Sequence, residues 1–256
     1  MLASLPISLA RRAESLHASL ERNLPMLMAI WVVLALCGGA LRVSINPVGS
    51  GGAGLGTIAP YLLLMGAPIV SMALALRWFA DGDRLPQPDW RIARIGRWRD
   101  VDLSTARGHR LYGTTGIMVS LLVGMLMNVP MRAAEYLVAI PAILADVPNW
   151  LATLHFLMTL DVVLMPSLYV IAFVAALRRV PLFPRLLATV WLVDMTLQLV
   201  IADRIAATDL PPEVAASLTT LLDANVKKVM ISVALWAPYL IFSKRVNVTY
   251  RHRVPA

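Results

Sequence analysis

Cysteine and charge are what this chain has least of. Its single cysteine, Cys37, has no partner for an intramolecular disulfide and lies inside an apolar run, which excludes a disulfide framework and a Cys-rich metal site. Charged residues make up only 15% of the 256 positions, against 59% hydrophobic ones, whereas ordinary soluble domains carry about a quarter charged. That balance excludes disorder, collagen and coiled coil and reads as a membrane composition. Catalytic signatures are also missing: there is no H-E-x-x-H, no metal-spaced set of Cys and His, and no serine nucleophile elbow. The start of the chain has no compact apolar core followed by a small-residue cleavage site, so no cleavable signal peptide is expected and the first span has to direct insertion.

What the chain does have is long apolar runs. Five approach the roughly 20 residues that cross a hydrocarbon core of about 30 Å: Pro25 to Ile45, Thr57 to Leu76, Leu111 to Val129, Trp150 to Leu177 and Leu186 to Ala202. A sixth, Val229 to Phe242, is short and has to be lengthened by snorkelling of Lys227 and Lys228 or by helix running in from the preceding segment. Six spans put 18 of the 23 basic residues on one side, so the positive-inside rule predicts both termini in the cytoplasm. The net charge of +8 is thereby explained by membrane orientation, and nucleic acid is not an expected partner.

Three segments outside the spans have their own patterns. Leu9, Ala13, Leu16 and Leu20 recur at helical spacing beside Arg11, Arg12 and Arg22, predicting a short amphipathic helix on the inner leaflet. Between the second and third spans, Trp90, Ile92, Ile95 and Trp98 interleave with Arg91, Arg94, Arg97 and Arg99. This basic, apolar stretch is expected at headgroup level, against anionic lipid, and helical when bound. Asp209 before Pro211 and Pro212 can cap a helix leading toward the last span. The run Gly49-Ser-Gly51-Gly-Ala-Gly54 formally fits a dinucleotide-binding pattern, but it joins two spans with no strand or acidic ribose partner. It reads as a flexible outer hairpin.

The last third carries a recognisable series: Arg178-Arg179-Val-Pro181-Leu-Phe183-Pro184-Arg185, a span, a further helix, and the close Leu235-Trp236-Ala-Pro238-Tyr239-Leu-Ile-Phe-Ser243-Lys244-Arg245-Val246-Asn247-Val-Thr249-Tyr250. This resembles the domain-of-unknown-function 2569 family of small polytopic bacterial membrane proteins, over the last 80 or so residues and more loosely from Gly113. The resemblance implies a four-span unit over residues 111–256, preceded by a two-span extension over 1–110, and implies no catalytic residue. Read physically, Trp236 and Tyr239 anchor the span end, while Lys244 and Arg245 meet anionic headgroups.

Two carboxylates, Asp161 and Asp194, fall near the midplane of their spans, where a charge costs a few kcal/mol and has to face protein, be protonated or be paired. Gln198 shares a helix face with Asp194, and Arg42 and His155 lie at similar depth toward the outer side. These five residues are the candidates for a proton or substrate pathway. The alternative is structural glue, with neutral carboxyls hydrogen-bonded to Thr, Ser or Gln, Thr159 and Thr196 being close at hand. His109 and His155 lie at opposite ends of their spans, too far apart for bis-His haem, and His17 and His252 fall in the tails; no cofactor is expected. The 13 methionines scatter through the spans as packing.

The expected fold is therefore all-α: a polytopic membrane protein of six transmembrane helices with short interfacial helices, in the bacterial inner membrane. The expected role is a non-catalytic accessory or assembly partner of a membrane complex. The alternatives are a small proton-coupled transporter using Asp161 and Asp194, and an intramembrane lipid-modifying enzyme with His155 as its acid or base.

Overall fold

The computed structural model describes the backbone of residues 5–45, 47–89, 95–208 and 210–256, and the side chains of these from residue 22 onward together with Ser19. Trp90, Arg91, Ile92, Arg94 and Asp209 lie outside the described residues, as do the side chains of Leu9, Arg11, Arg12, Ala13, Leu16 and Leu20.

The architecture is all-α, with six helices long and apolar enough to cross a membrane. They are α1 (Leu5–Ser44), α2 (Leu55–Trp78), α4 (Ile117–Ala139), α5 (Asn149–Leu177), α6 (Phe183–Ala206) and α7 (Pro212–Phe242). The short helices α3 (Leu103–Gly108) and α8 (Lys244–Arg251) and the strands β1 (Trp98–Asp100) and β2 (Arg253–Pro255) gather at one end. That end, made of residues 79–89, 95–116, 178–182 and 243–256, holds most of the described arginines outside the long helices and is termed the basic end. The helix α5 is the centre of the bundle and the most buried of the six. It packs against α2, α4 and α6; α1 lies on α2 and α4, and α7 on α6. The apolar surfaces left on α1 and α7, such as Leu34, Leu41, Ile231 and Leu235, are what a lipid environment covers.

Two expectations about boundaries need correction. The third span does not run from Leu111 to Val129 but from Ile117 to Ala139, because Gly113 and Gly116 take positive φ angles of 103° and 67° and make residues 111–116 a turn. The segment before the first span is not a separate surface helix: α1 continues through it and through Pro25, with no glycine between to break it. Of the two expected ways to lengthen the short last span, helix running in from the preceding segment is the one found: the helix after Pro211 and that span are one helix, α7, of 31 residues, about 46 Å long. Lys227 and Lys228 therefore sit within α7 and not at its end.

The two ends close differently. Opposite the basic end, residues 47–54 dock on 140–148: Val48 N donates to Ala142 O at 2.8 Å, Leu144 N to Val48 O at 2.8 Å, and Ser50 Oγ to Asp146 Oδ2 at 3.2 Å. Gly49 has φ of 115°, and a Cβ there would meet Asp146 O at 2.8 Å. Only glycine fits that crossing, so the segment read as a flexible hairpin is pinned.

At the basic end the C-terminus folds inward. Ser243 caps α8 by accepting from Val246 N, and Val246 to Tyr250 are buried. Tyr250 OH donates to Ala176 O at 2.9 Å, and its ring packs on Phe183 at 4.9 Å. Thr249 Oγ1 accepts from Gly113 N at 3.0 Å. The chain then pairs antiparallel with β1, Asp100 opposite Arg253. The stretch expected to be helical at the headgroups is thus extended at Trp98–Asp100, because the C-terminus supplies a partner strand.

Candidate functional site

The corrected third span carries a cation into the bundle. Arg132, in the third quarter of α4, reaches both midspan carboxylates: Nη1 donates to Asp161 Oδ1 and Oδ2 at 2.6 and 2.8 Å, and Nη2 to Asp194 Oδ1 and Oδ2 at 2.5 and 2.6 Å. Asp161 and Asp194 are buried and Arg132 is mostly so, with side chains 6%, 0% and 10% exposed. One planar guanidinium thus joins α4, α5 and α6, using the fork geometry that lysine lacks.

Polar side chains saturate the two carboxylates further. Tyr169 OH, two turns along α5 from Asp161, donates to Asp194 Oδ2 at 2.9 Å. Gln198 Nε2 donates to Asp161 Oδ1 at 2.8 Å and so bonds across to α5, even though it shares a helix face with Asp194. From α7, Asn225 Nδ2 donates to Gln198 Oε1 at 3.3 Å, and Lys228 Nζ donates to Asn225 Oδ1 at 3.3 Å and pairs with Glu135. The chain of contacts runs from Glu135 on α4 round through α7, α6 and α5 back to Arg132. Counted as ionised groups, two carboxylates on one guanidinium leave one surplus negative charge. The Lys228–Glu135 pair adds none.

A cleft of about 200 Å³ opens between α4 and α7 onto this network, with Asn128, Arg132, Asp194 and Lys228 in its wall. The Asn128 Oδ1 atom beside it is shielded from solvent and has no hydrogen-bond partner among the described residues.

Of the residues singled out in the sequence, Asp161, Asp194 and Gln198 meet in one network. His155 and Arg42 do not join it. His155 Nε2 is 3.3 Å from Tyr136 OH, which also bonds Thr159 Oγ1 at 2.8 Å and meets the Tyr61 ring edge-on. Thr159 is therefore occupied elsewhere and Thr196 bonds neither carboxylate; of the partners expected for a glue, Gln198 is met at Asp161, and Arg132 stands where the threonines were expected. Arg42 Nε donates to Ile140 O at 2.9 Å, filling an acceptor at the C-cap of α4.

Among the residues expected at headgroups, Arg97, Arg99 and Lys244 are exposed. Trp98 is half-buried, its Nε1 donating to Ile95 O at 2.7 Å. Arg245 turns inward, giving Nη1 to Thr115 Oγ1 at 2.6 Å and more weakly to Leu111 O and Gly113 O. It holds the turn before α4 in place. His109 sits at the end of α3, where Nδ1 accepts from Leu111 N at 3.1 Å.

Sequence reasoning missed Arg132, Glu135, Tyr169, Asn225 and Lys228. A signal was present for the first two. Asn128, Arg132 and Glu135 fall at i, i+4 and i+7, and Val129, Ala133, Tyr136 and Leu137 continue the apolar pattern around them, as one polar stripe on a helix does. Comparison with known protein families, with curated proteins and with solved structures finds no match to this chain.

Proposed function

We propose that the chain is a small proton-coupled membrane carrier whose switch is the Arg132 triad, inserted with both termini in the cytoplasm. The observation that carries this reading is the two-to-one stoichiometry of Asp161 and Asp194 on Arg132 beside an open cleft. An intramembrane ionic group is costly, and apolar replacements of similar size are often more stable, so folding alone gives little reason for it. A proton taken up by either carboxylate brings the triad from a net charge of minus one to zero and weakens that carboxyl's hold on the guanidinium. Arg132 is then free to turn toward the cleft between α4 and α7. Proton uptake and the exposure of a cation are linked in this way, which is the minimum a coupled carrier requires. The arginine-rich loops at the basic end support the orientation.

The accessory-partner reading keeps one observation in its favour: every carboxylate oxygen of the triad already accepts a hydrogen bond, as a static lock would want. The two readings separate in a solid-supported membrane recording of the full chain. A carrier gives a transient current after a pH step, from protons entering the site, and Asp161→Asn with Asp194→Asn abolishes it while the protein stays inserted. No current from the unaltered chain, or the same current in the double variant, sinks the carrier reading and leaves the lock.

A further inference from the structure

A second cleft, of about 370 Å³, lies at the basic end between the start of α6 and the end of α7. It is independent of the triad. Three arginines line it: Arg185 from the first turn of α6, Arg251 from α8 and Arg253 from β2, with Trp191, Leu240 and Ile241 as its apolar wall. No acidic side chain among the described residues lines it. Arg253 is 1% exposed and has Asp100 Oδ1 at 3.3 Å from Nε. Arg251 gives Nη1 to the neutral Asn247 Oδ1 at 3.2 Å. Burial, and then the charges of Arg253 and Arg185, hold the Arg251 guanidinium down at about 10. With Asp100 set against one cation, the cleft keeps a surplus of two positive charges, and the three guanidiniums raise one another's energy.

We propose that this cleft binds the headgroup of a phospholipid carrying two negative charges on phosphate. Guanidinium forks match phosphate oxygens in pairs, and basic pockets between helices at the end of a membrane span suit such headgroups. The apolar wall decides between a lipid and a free phosphate. Arg185 is at the mouth of the span, and Trp191 lies nearly two turns further in on the same helix, with Leu240 and Ile241 facing it from α7. An acyl chain continues along that wall, whereas inorganic phosphate leaves it bare. The volume is also in the range of sites for small organic ligands.

Native mass spectrometry of the purified full chain tests this, with cardiolipin, phosphatidic acid, phosphatidylglycerol and phosphatidylcholine supplied at equal concentration. Cardiolipin and phosphatidic acid should be retained ahead of the other two. Arg185→Gln should lower that retention about fivefold, the value of one cation at a membrane surface, and Arg251→Gln should do the same. Arg185 makes no side-chain hydrogen bond among the described residues, so its variant leaves the fold intact even if Arg251→Gln does not. Arg204→Gln, exposed at the far end of α6, should change nothing. Equal retention of phosphatidylglycerol, full retention by the Arg185 variant, or displacement of the lipid by millimolar inorganic phosphate would each overturn the proposal.

Discussion

The same three residue types build two sites in this molecule, and they differ in count. At the basic end Asp83 accepts from Arg107 Nε and Nη2 at 3.0 and 2.8 Å and from Tyr112 OH at 2.9 Å. Within the bundle Asp194 likewise accepts from an arginine and a tyrosine, here from Nη2 of Arg132 and from Tyr169 OH, but Asp161 takes the other terminal nitrogen, Nη1. The first site is one carboxylate to one arginine, neutral as a pair and close to water. It ties the turn after α2 to α3 and needs no further purpose. The second holds two carboxylates to one arginine, away from water, where a surplus charge is most costly. An arrangement that is cheap where it is balanced becomes expensive where it is not. On the reading proposed above, that imbalance is what a proton entering the bundle site would relieve.

Removing Arg132 should have the largest effect. Arg132→Ala leaves two facing carboxylates buried without a cation, and loss of one partner from a buried ionic group costs about 3–5 kcal/mol. The unfolding midpoint in detergent should fall sharply or folding should fail. The triple change Arg132→Met, Asp161→Leu and Asp194→Leu should restore the midpoint or raise it, since well-packed apolar replacements are commonly neutral to stabilising. If the triple variant is as unstable as Arg132→Ala, the network is required for assembly of the helices, and the argument from its cost collapses.

Asp161→Asn gives the bundle site the stoichiometry of the Asp83 site. The remaining pair is neutral, and the asparagine oxygen still accepts from Gln198 Nε2. Stability should therefore change by no more than about 1 kcal/mol, the size of one ordinary hydrogen bond, while the transient current after a pH step disappears. A loss as large as that of Arg132→Ala would mean that both charges are structural.

How far these sites could be read in advance follows from what each one depends on. The existence of six spans is a property of composition and length, and the apolar runs carry it without help from tertiary contacts. Asp161, Asp194 and Gln198 stand out because a charge or amide in such a run is conspicuous. Arg132 does not, for a charge placed at the edge of a run looks like the start of a loop. What moved the boundary was distant in sequence: Thr249 and Arg245 hold the turn at Leu111 to Thr115, which delays the start of α4 until Ile117. The same distance hid the role of the C-terminus, whose Ser-Lys-Arg-Val run has the composition of a membrane anchor, although Arg245 reaches the turn before α4 and Tyr250 packs on Ala176 and Phe183. Two unpaired carboxylates within the membrane do demand a cation, and that demand, applied to Arg132, would have moved the boundary from the sequence alone.

The smallest effect belongs to the balanced site. Burial pushes the Asp83 carboxyl up, but hydrogen bonds from Arg107 and Tyr112 outweigh it and hold the group below its ordinary value. A carboxyl with a depressed value in the folded chain stabilises the fold at pH above its unfolded value, near 3.9, and loses that contribution as pH falls through the folded value. Asp83→Asn should accordingly lower stability by under about 1 kcal/mol, since the pair is partly solvated and screened. The deficit should stay constant from about pH 5 to 8 and shrink toward zero below about pH 4 as the native carboxyl is itself protonated. Unfolding midpoints of the two proteins in detergent across that range measure it directly. A deficit that persisted into acid would mean that Asp83 acts through shape and hydrogen bonding and not through charge. The two sites would then have less in common than their residues imply, and only the bundle site would owe its behaviour to electrostatics.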